Sequence, residues 1–335
     1  MKKYIVQEKW KLHLLRRSKF EEKKREKRYL RQFRITQIKA NSARHSDDFF
    51  RLEAPKVFSV INNHDEMLRY FYLARQKYKN REQVNFDLSN INKMTPDAIA
   101  TLVACVHDKG FSHGLNAKGN SPVEPELKKM FAESGFYSYM QSSWANNPTN
   151  PKHMLLHRVT KNKVENDIAK QACQRAVLHV FKNENIFSPM YEILIECMAN
   201  TNNHAGLDHK GKYDWWLFEY CDPVTQTTKV TFLDLGVGIF KSLPVQTYVR
   251  SVLSSIGLVN NVDLMPGLLS GEIASRTLLK YRGRGLPLIH DHSKHENIKM
   301  FYIISNDVFA DLKNARYIKT QTEFGGTLIY FEISQ

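Results

Sequence analysis

The sequence predicts an α/β protein in three parts. A basic helical arm covers residues 1–50, a small α/β domain covers 55–143, and a larger α/β sandwich with a mixed sheet covers 155–335. Three observations predict this. Positive charge is concentrated at the N-terminus. Strand-like and helical patterns then alternate over roughly 90 residues, as small α/β domains do. Finally, the C-terminal half sets an apolar-faced helix beside several β-rich runs, two of them bordered by glycines.

Length and composition limit the rest. A chain of 335 residues is long enough for about two domains with real cores. No apolar run approaches the roughly 18–20 residues of a membrane span. The opening MKKYIVQEKWK lacks the continuous apolar stretch of a secretory signal. Cys105, Cys173, Cys197 and Cys221 are scattered without C-x-x-C spacing. They are expected to be buried free thiols in a reducing compartment, so the expectation is a cytoplasmic protein without structural zinc or membrane association.

Taken in order, Met1 to His45 holds 16 Lys and Arg against 4 Glu, a net of +12 out of a formal +15 for the whole chain. Arg16–Arg34 has no Pro or Gly and many helix formers, so it is expected to be helical. A basic arm over residues 1–45 suits phosphates of a nucleic acid or an acidic protein partner. A solvated tail without a ligand is the plain alternative, and the poor apolar face disfavours a membrane surface.

Lys56–Asn62 and Val84–Asn90 are expected strands. Between them lies a helix with Met67, Tyr70, Phe71 and Leu73 inward; after them comes a helix with Pro96 near its start. Pro125–Gly135 is expected to be an amphipathic helix, and residues 140–155, rich in Asn, Ser and Pro, a linker. Lys161–Phe181 is expected to be a long helix with Ile168, Ala172, Cys173, Ala176 and Val177 on one face. Ser188-Pro189 then opens a helix through Asn203, with Ser188 as N-cap. Tyr213–Tyr220 and Lys229–Leu235 form an expected hairpin. Met300–Ser305 and Thr327–Ile333 complete a mixed sheet covered by helices on one face.

Four short motifs carry chemistry. Glu196 and Asn200 are four apart, so both leave one helical face about 6 Å apart along the axis. A carboxylate can orient and deprotonate a water, and an amide oxygen can ligate magnesium held mainly by phosphates. Alone, such a pair is most often a solvated helix edge. It is followed by Val230–Ile239, which ends a strand at Asp234 and continues through Gly236, Gly238 and Ile239. Next comes Arg282-Gly283-Arg284-Gly285-Leu286, running into an apolar helix. Last is Gly325–Ile333, a strand opened by two glycines and Thr327.

In this order, E-x3-N-x3-H, D-x-G-x-G-I, G-x-G-L and G-G-T resemble the nucleotide boxes of the GHKL ATPases. The resemblance implies a Bergerat-type two-layer α/β sandwich that binds ATP and Mg2+. It implies Glu196 as the catalytic base or water-orienting group and Asn200 as the magnesium ligand. His204 would lie near the phosphates or a lid hinge, and Asp234 would accept from the adenine amine. Gly236, Gly238 and Ile239 would line the base. Arg282, Gly283, Arg284, Gly285 and Leu286 would hold phosphates at a helix N-terminus, and Thr327 would reach adenine. Phe240–Tyr281 would be the lid, with Ser275, Arg276 and Lys280 as further phosphate contacts. The plain alternatives are a turn Asp, a helix-end His, solvated arginines and a strand Thr.

The run FDLSNINKMTPDAIATLV, Phe86 to Val103, and the closing L-K-K-M-F-x-x-S-G-F resemble a STAS domain. Where phospho-regulated STAS proteins carry serine, this chain has Met94-Thr95-Pro96-Asp97, which puts a simple phosphorylation switch in doubt. His290–Glu296 is rich in His and acids, but no second ligand group has metal-site spacing, and a polar loop is expected. The leading expectation is an ATP-binding regulatory protein of bacterial signalling. It would slowly hydrolyse Mg-ATP to control the STAS-like domain and its protein partners, with an ATP-dependent dimer as one arrangement. A serine/threonine kinase acting on another protein, and a scaffold with ATP as structural ligand, stay open.

Overall fold

The computed structural model describes residues 49–140, 153–159, 164–183, 185–204, 214–243, 260–273 and 285–335. The basic arm expected over residues 1–50 thus lies outside the described residues up to position 48, as do 141–152 of the expected linker and the start of the expected helix at Lys161. Among the described residues the fold is α/β, built mainly on one parallel and one antiparallel sheet.

The parallel sheet has the order β1-β3-β5, from β1 (Phe49–Glu53), β3 (Gln83–Asp87) and β5 (Ala117–Gly119). A two-residue ladder joins β2 (Val57–Phe58) to β4 (Lys93–Met94). Their helices are α1 (His64–Lys79), α2 (Pro96–His107), the single turn α3 (Lys109–Ser112) and α4 (Pro125–Glu133). Pro96 and Pro125 stand in first turns, where the missing N–H is no loss.

The strand expected through Asn62 stops at Phe58. Ser59–Asn63 turns, with the Asn63 N–H on the Ser59 carbonyl at 3.0 Å, and the turn is pinned by Asp97. The Val60 and Ile61 N–H groups donate to Asp97 Oδ2 at 2.6 and 3.2 Å, and Asp97 is fully buried. The Asp97 side chain therefore serves as a backbone anchor.

The larger sheet contains β6 (Met154–Val159), β7 (Asp214–Asp222), β8 (Thr227–Asp234), β9 (Ile298–Asp311) and β10 (Arg316–Ile333) in the order β6-β7-β8-β10-β9. The expected mixed sheet is corrected: all its pairs are antiparallel, because two hairpins, β7–β8 and β9–β10, dock through β8 and β10. The second hairpin also extends well beyond the expected strands, with its turn between Asp311 and Arg316.

Helices α5 (Asn166–Phe181), α6 (Ser188–His204), α8 (Asn261–Ser270) and α9 (Gly285–Ser293) pack with one face of this sheet; the short α7 (Ile239–Ser242) follows β8. Trp215, Leu217, Phe232, Ile303, Ile329 and Phe331 belong to the core on that face. The intervening Trp216, Phe218, Leu233, Ile304, Leu328 and Tyr330 share a second core with Met67, Phe71, Ile99 and Val103 of α1 and α2. Cover on one face was expected; both faces are covered, because alternate strand positions are apolar on both sides and each needs a partner. Residues 49–335 form one compact unit. No helix among the described residues is long and apolar enough to cross a membrane.

Candidate functional site

Helix α6 organises the site. Met190, Ile193, Leu194, Cys197, Met198 and Thr201 are buried, while Glu192, Glu196 and Asn200 follow one another at steps of four along one side. The first step is stapled to α9: His292 Nε2 lies 2.8 Å from Glu192 Oε2. At the next steps the start of α9 closes on the same face. A Cβ added to Gly285 would lie 2.7 Å from Glu196 Oε2 and 3.2 Å from Asn200 Oδ1, so any larger residue there would displace the Glu196 carboxylate.

The Glu196 carboxyl is held above the ordinary glutamate range, first by burial and second by the nearby Glu192 charge. That makes it a better proton acceptor near neutral pH than an exposed glutamate. Glu192 itself is shifted down, chiefly by its hydrogen bond with His292. Two carboxyls one turn apart therefore have different proton affinities.

Asp234 ends β8 in a buried position. Its Oδ1 accepts the Gly236 N–H at 2.8 Å; Thr201 lies nearby, its hydroxyl donating to the Cys197 carbonyl at 3.1 Å. Burial pushes its pKa up to about 6, with the Gly236 bond and the nearby Thr201 hydroxyl acting in the opposite direction. Strand register aligns Trp215, Asp234, Thr327 and Ser305 across the sheet. Gly326 makes that alignment possible: its φ is +133°, and a Cβ there would fall 2.0 Å from the Asp234 carbonyl oxygen.

The structure thus brings Glu196, Asn200 and Gly285 together. It separately gathers Asp234, Gly236 and Thr327, with Gly238 and Ile239 leading into α7. Thr201, adjacent to Asn200, lies near Asp234, while its hydroxyl bonds back to the Cys197 carbonyl. Leu286 packs partly buried against the apolar core beneath α9. His204 ends α6, but its side chain lies outside the described residues, as do Arg282, Gly283 and Arg284 and the lid candidates Ser275, Arg276 and Lys280.

Sequence reasoning passed over Thr201, Ser305 and Asn306. Thr201 could have been found as the polar residue four after Cys197 on a buried face, whereas Ser305-Asn306, a polar pair inside β9, carries no such signal. The His290–Glu296 run is not wholly the expected loop, because α9 continues to Ser293. Its His292 is taken by Glu192, and Lys294 pairs with Asp291 at 3.1 Å. Among the described residues no group of three His, Cys, Asp or Glu side chains could hold a metal ion.

The donors gathered here are a carboxylate beside an amide on α6 and a second, buried carboxylate at Asp234, packed closely against the Gly326 backbone. No known protein family and no curated protein matches the chain.

Proposed function

We propose that residues 155–335 form a Bergerat-type module of the GHKL class, layered with a STAS-like segment, and that the chain is a regulatory protein that binds and slowly hydrolyses Mg-ATP. The observation that carries the reading is the convergence of four sequence-distant segments on one end of α6. Gly285 lies against Glu196 and Asn200, while Thr201, the next residue along the helix, lies near the Asp234 that Gly326 abuts. Each motif alone is common; their meeting at one helix is not.

In this reading Asp234 accepts from the exocyclic amine of adenine, which guanine lacks at that position, and Thr327 flanks it. Gly285 offers its backbone at the opening of α9, where a helix N-terminus favours phosphate. Glu196 orients a water and takes its proton. Asn200 would supply one ligand to magnesium, whose chemistry is to neutralise phosphate charge. The STAS-like segment and the basic arm would meet protein or polyanion partners.

The test is Mg-dependent ATP binding and phosphate release by the full chain, beside Glu196→Ala. We expect the variant to bind ATP and to lose turnover. Label from the γ-phosphate appearing on protein rather than in solution would instead mark a protein kinase; binding with no turnover in either protein would mark a scaffold. A folded wild type that binds no ATP would reject the reading.

A further inference from the structure

The glycine loop after β8 has supports of its own. Between Leu235 and Gly238 the chain leaves the sheet, and Gly238 has no side chain to cap the first N–H groups of α7. Ser305 and Asn306 take over that task from β9. The Ile239 N–H donates to Ser305 Oγ at 2.8 Å, and the Phe240 N–H to Asn306 Oδ1 at 3.0 Å. Asn306 Nδ2 in turn donates to the Val237 carbonyl at 2.9 Å. One amide therefore spans the loop from both sides.

The same pair grips the other strand. Ser305 Oγ donates to the Gly326 carbonyl at 2.9 Å and lies 3.2 Å from Thr327 Oγ1. Its single hydrogen is used on Gly326, so the Thr327 hydroxyl donates to Ser305 and keeps its lone pairs for the site. The pair sits at a bulge: Phe324 pairs with Asn306 and Thr327 with Ser305, leaving Gly325 and Gly326 extra on β10. Asn306 is 1% exposed and has φ +53°, a left-handed conformation that asparagine tolerates better than most residues. A Cβ at Gly238 would come 2.6 Å from Asn306 Oδ1, so loop and amide are packed without slack.

We propose that Ser305 and Asn306 are positioning residues that lock the glycine loop to the Thr327 strand and thereby set discrimination for adenine over guanine. The inference rests on the nucleotide reading above and deepens it. Base recognition depends on the spacing of Asp234, the loop and Thr327. Phosphate recognition depends on the separate group at Asn200 and Gly285. Loosening the loop should therefore damage one and spare the other.

The experiment is equilibrium binding of Mg-ATP and Mg-GTP to the full chain, with Asn306→Gly and Ser305→Ala. Asn306→Gly keeps the left-handed backbone unstrained and removes only the amide. Two lost hydrogen bonds predict ATP affinity falling about tenfold to thirtyfold, with GTP nearly unchanged, so the ATP/GTP preference collapses. If that variant does not fold, Ser305→Ala reads the same ratio after losing one oxygen. A preference kept at its wild-type value, or both nucleotides weakening in parallel as a merely structural role requires, overturns the proposal. A wild type without preference also overturns it, whereas a folded wild type that binds neither nucleotide fails the underlying reading itself.

Discussion

Replacing Asp234 with asparagine should strengthen the fold while removing ATP binding. The carboxyl sits buried with a pKa of about 6, against an ordinary value of 3.8. The folded state therefore holds the proton more tightly than the unfolded chain. Below the ordinary value both states are protonated and burial carries no ionic penalty. As pH rises through the folded value the proton must leave, and stability falls. The difference of 2.2 pH units corresponds to about 3 kcal/mol above about pH 7. Asp234→Asn stays neutral and can still accept from Gly236 through Oδ1. It should exceed the wild type by up to about 3 kcal/mol near pH 8 and match it near pH 4. Urea titrations of both proteins across that range measure the difference directly. With Oδ1 occupied by Gly236, the asparagine turns an NH2 donor toward the adenine amine, so ATP binding should vanish. A stability difference that does not vary with pH, or an asparagine variant weaker near pH 8, would refute the assignment of a buried, raised carboxyl.

Other expectations follow from the same geometry. Gly285→Ala places a methyl 2.7 Å from Glu196 Oε2, so ATP turnover should fall about tenfold or more with a smaller change in melting temperature. Wild-type affinity for ATP should climb as pH rises through about 6, where Asp234 ionises, and calorimetry at several pH values checks it. Arg175→Met should destabilise the fold by about 3 kcal/mol near pH 8 and much less near pH 5. Burial already raises the Glu219 carboxyl, and Arg175, 3.2 Å away, opposes that rise; denaturant midpoints at the two pH values would show the contrast.

The α/β class was legible because strand alternation and helical spacing are local signals. The helix from Ser188 is one example: its proline start and apolar positions sit within one window of sequence. Strand β1 was missed because Phe49–Glu53 follows a charged stretch and gains its identity only by pairing with β3. The long β9–β10 hairpin was cut short because the polar run Lys319–Glu323 separates its outer part from the apolar stretch at Thr327–Ile333. Glu196, Asn200, Asp234 and the glycines were legible as residue types at fixed spacings. Ser305 and Asn306 were not, since their work is to satisfy the backbone of a loop some 66 positions away. No one-dimensional pattern carries such a contact.

The large sheet is a shared wall, and that has a consequence for how the molecule can change. Trp215 and Trp216 are neighbours on β7, yet each is buried in a different layer. Peeling α1 and α2 from the wall would bare Trp216, Phe218, Leu328 and Tyr330 together, a loss measured in many kcal/mol of apolar burial. The layer carrying Asp97 cannot simply swing free to signal. Any partner that displaces it has to bring an apolar surface of its own, and activation would be an exchange of one cover for another.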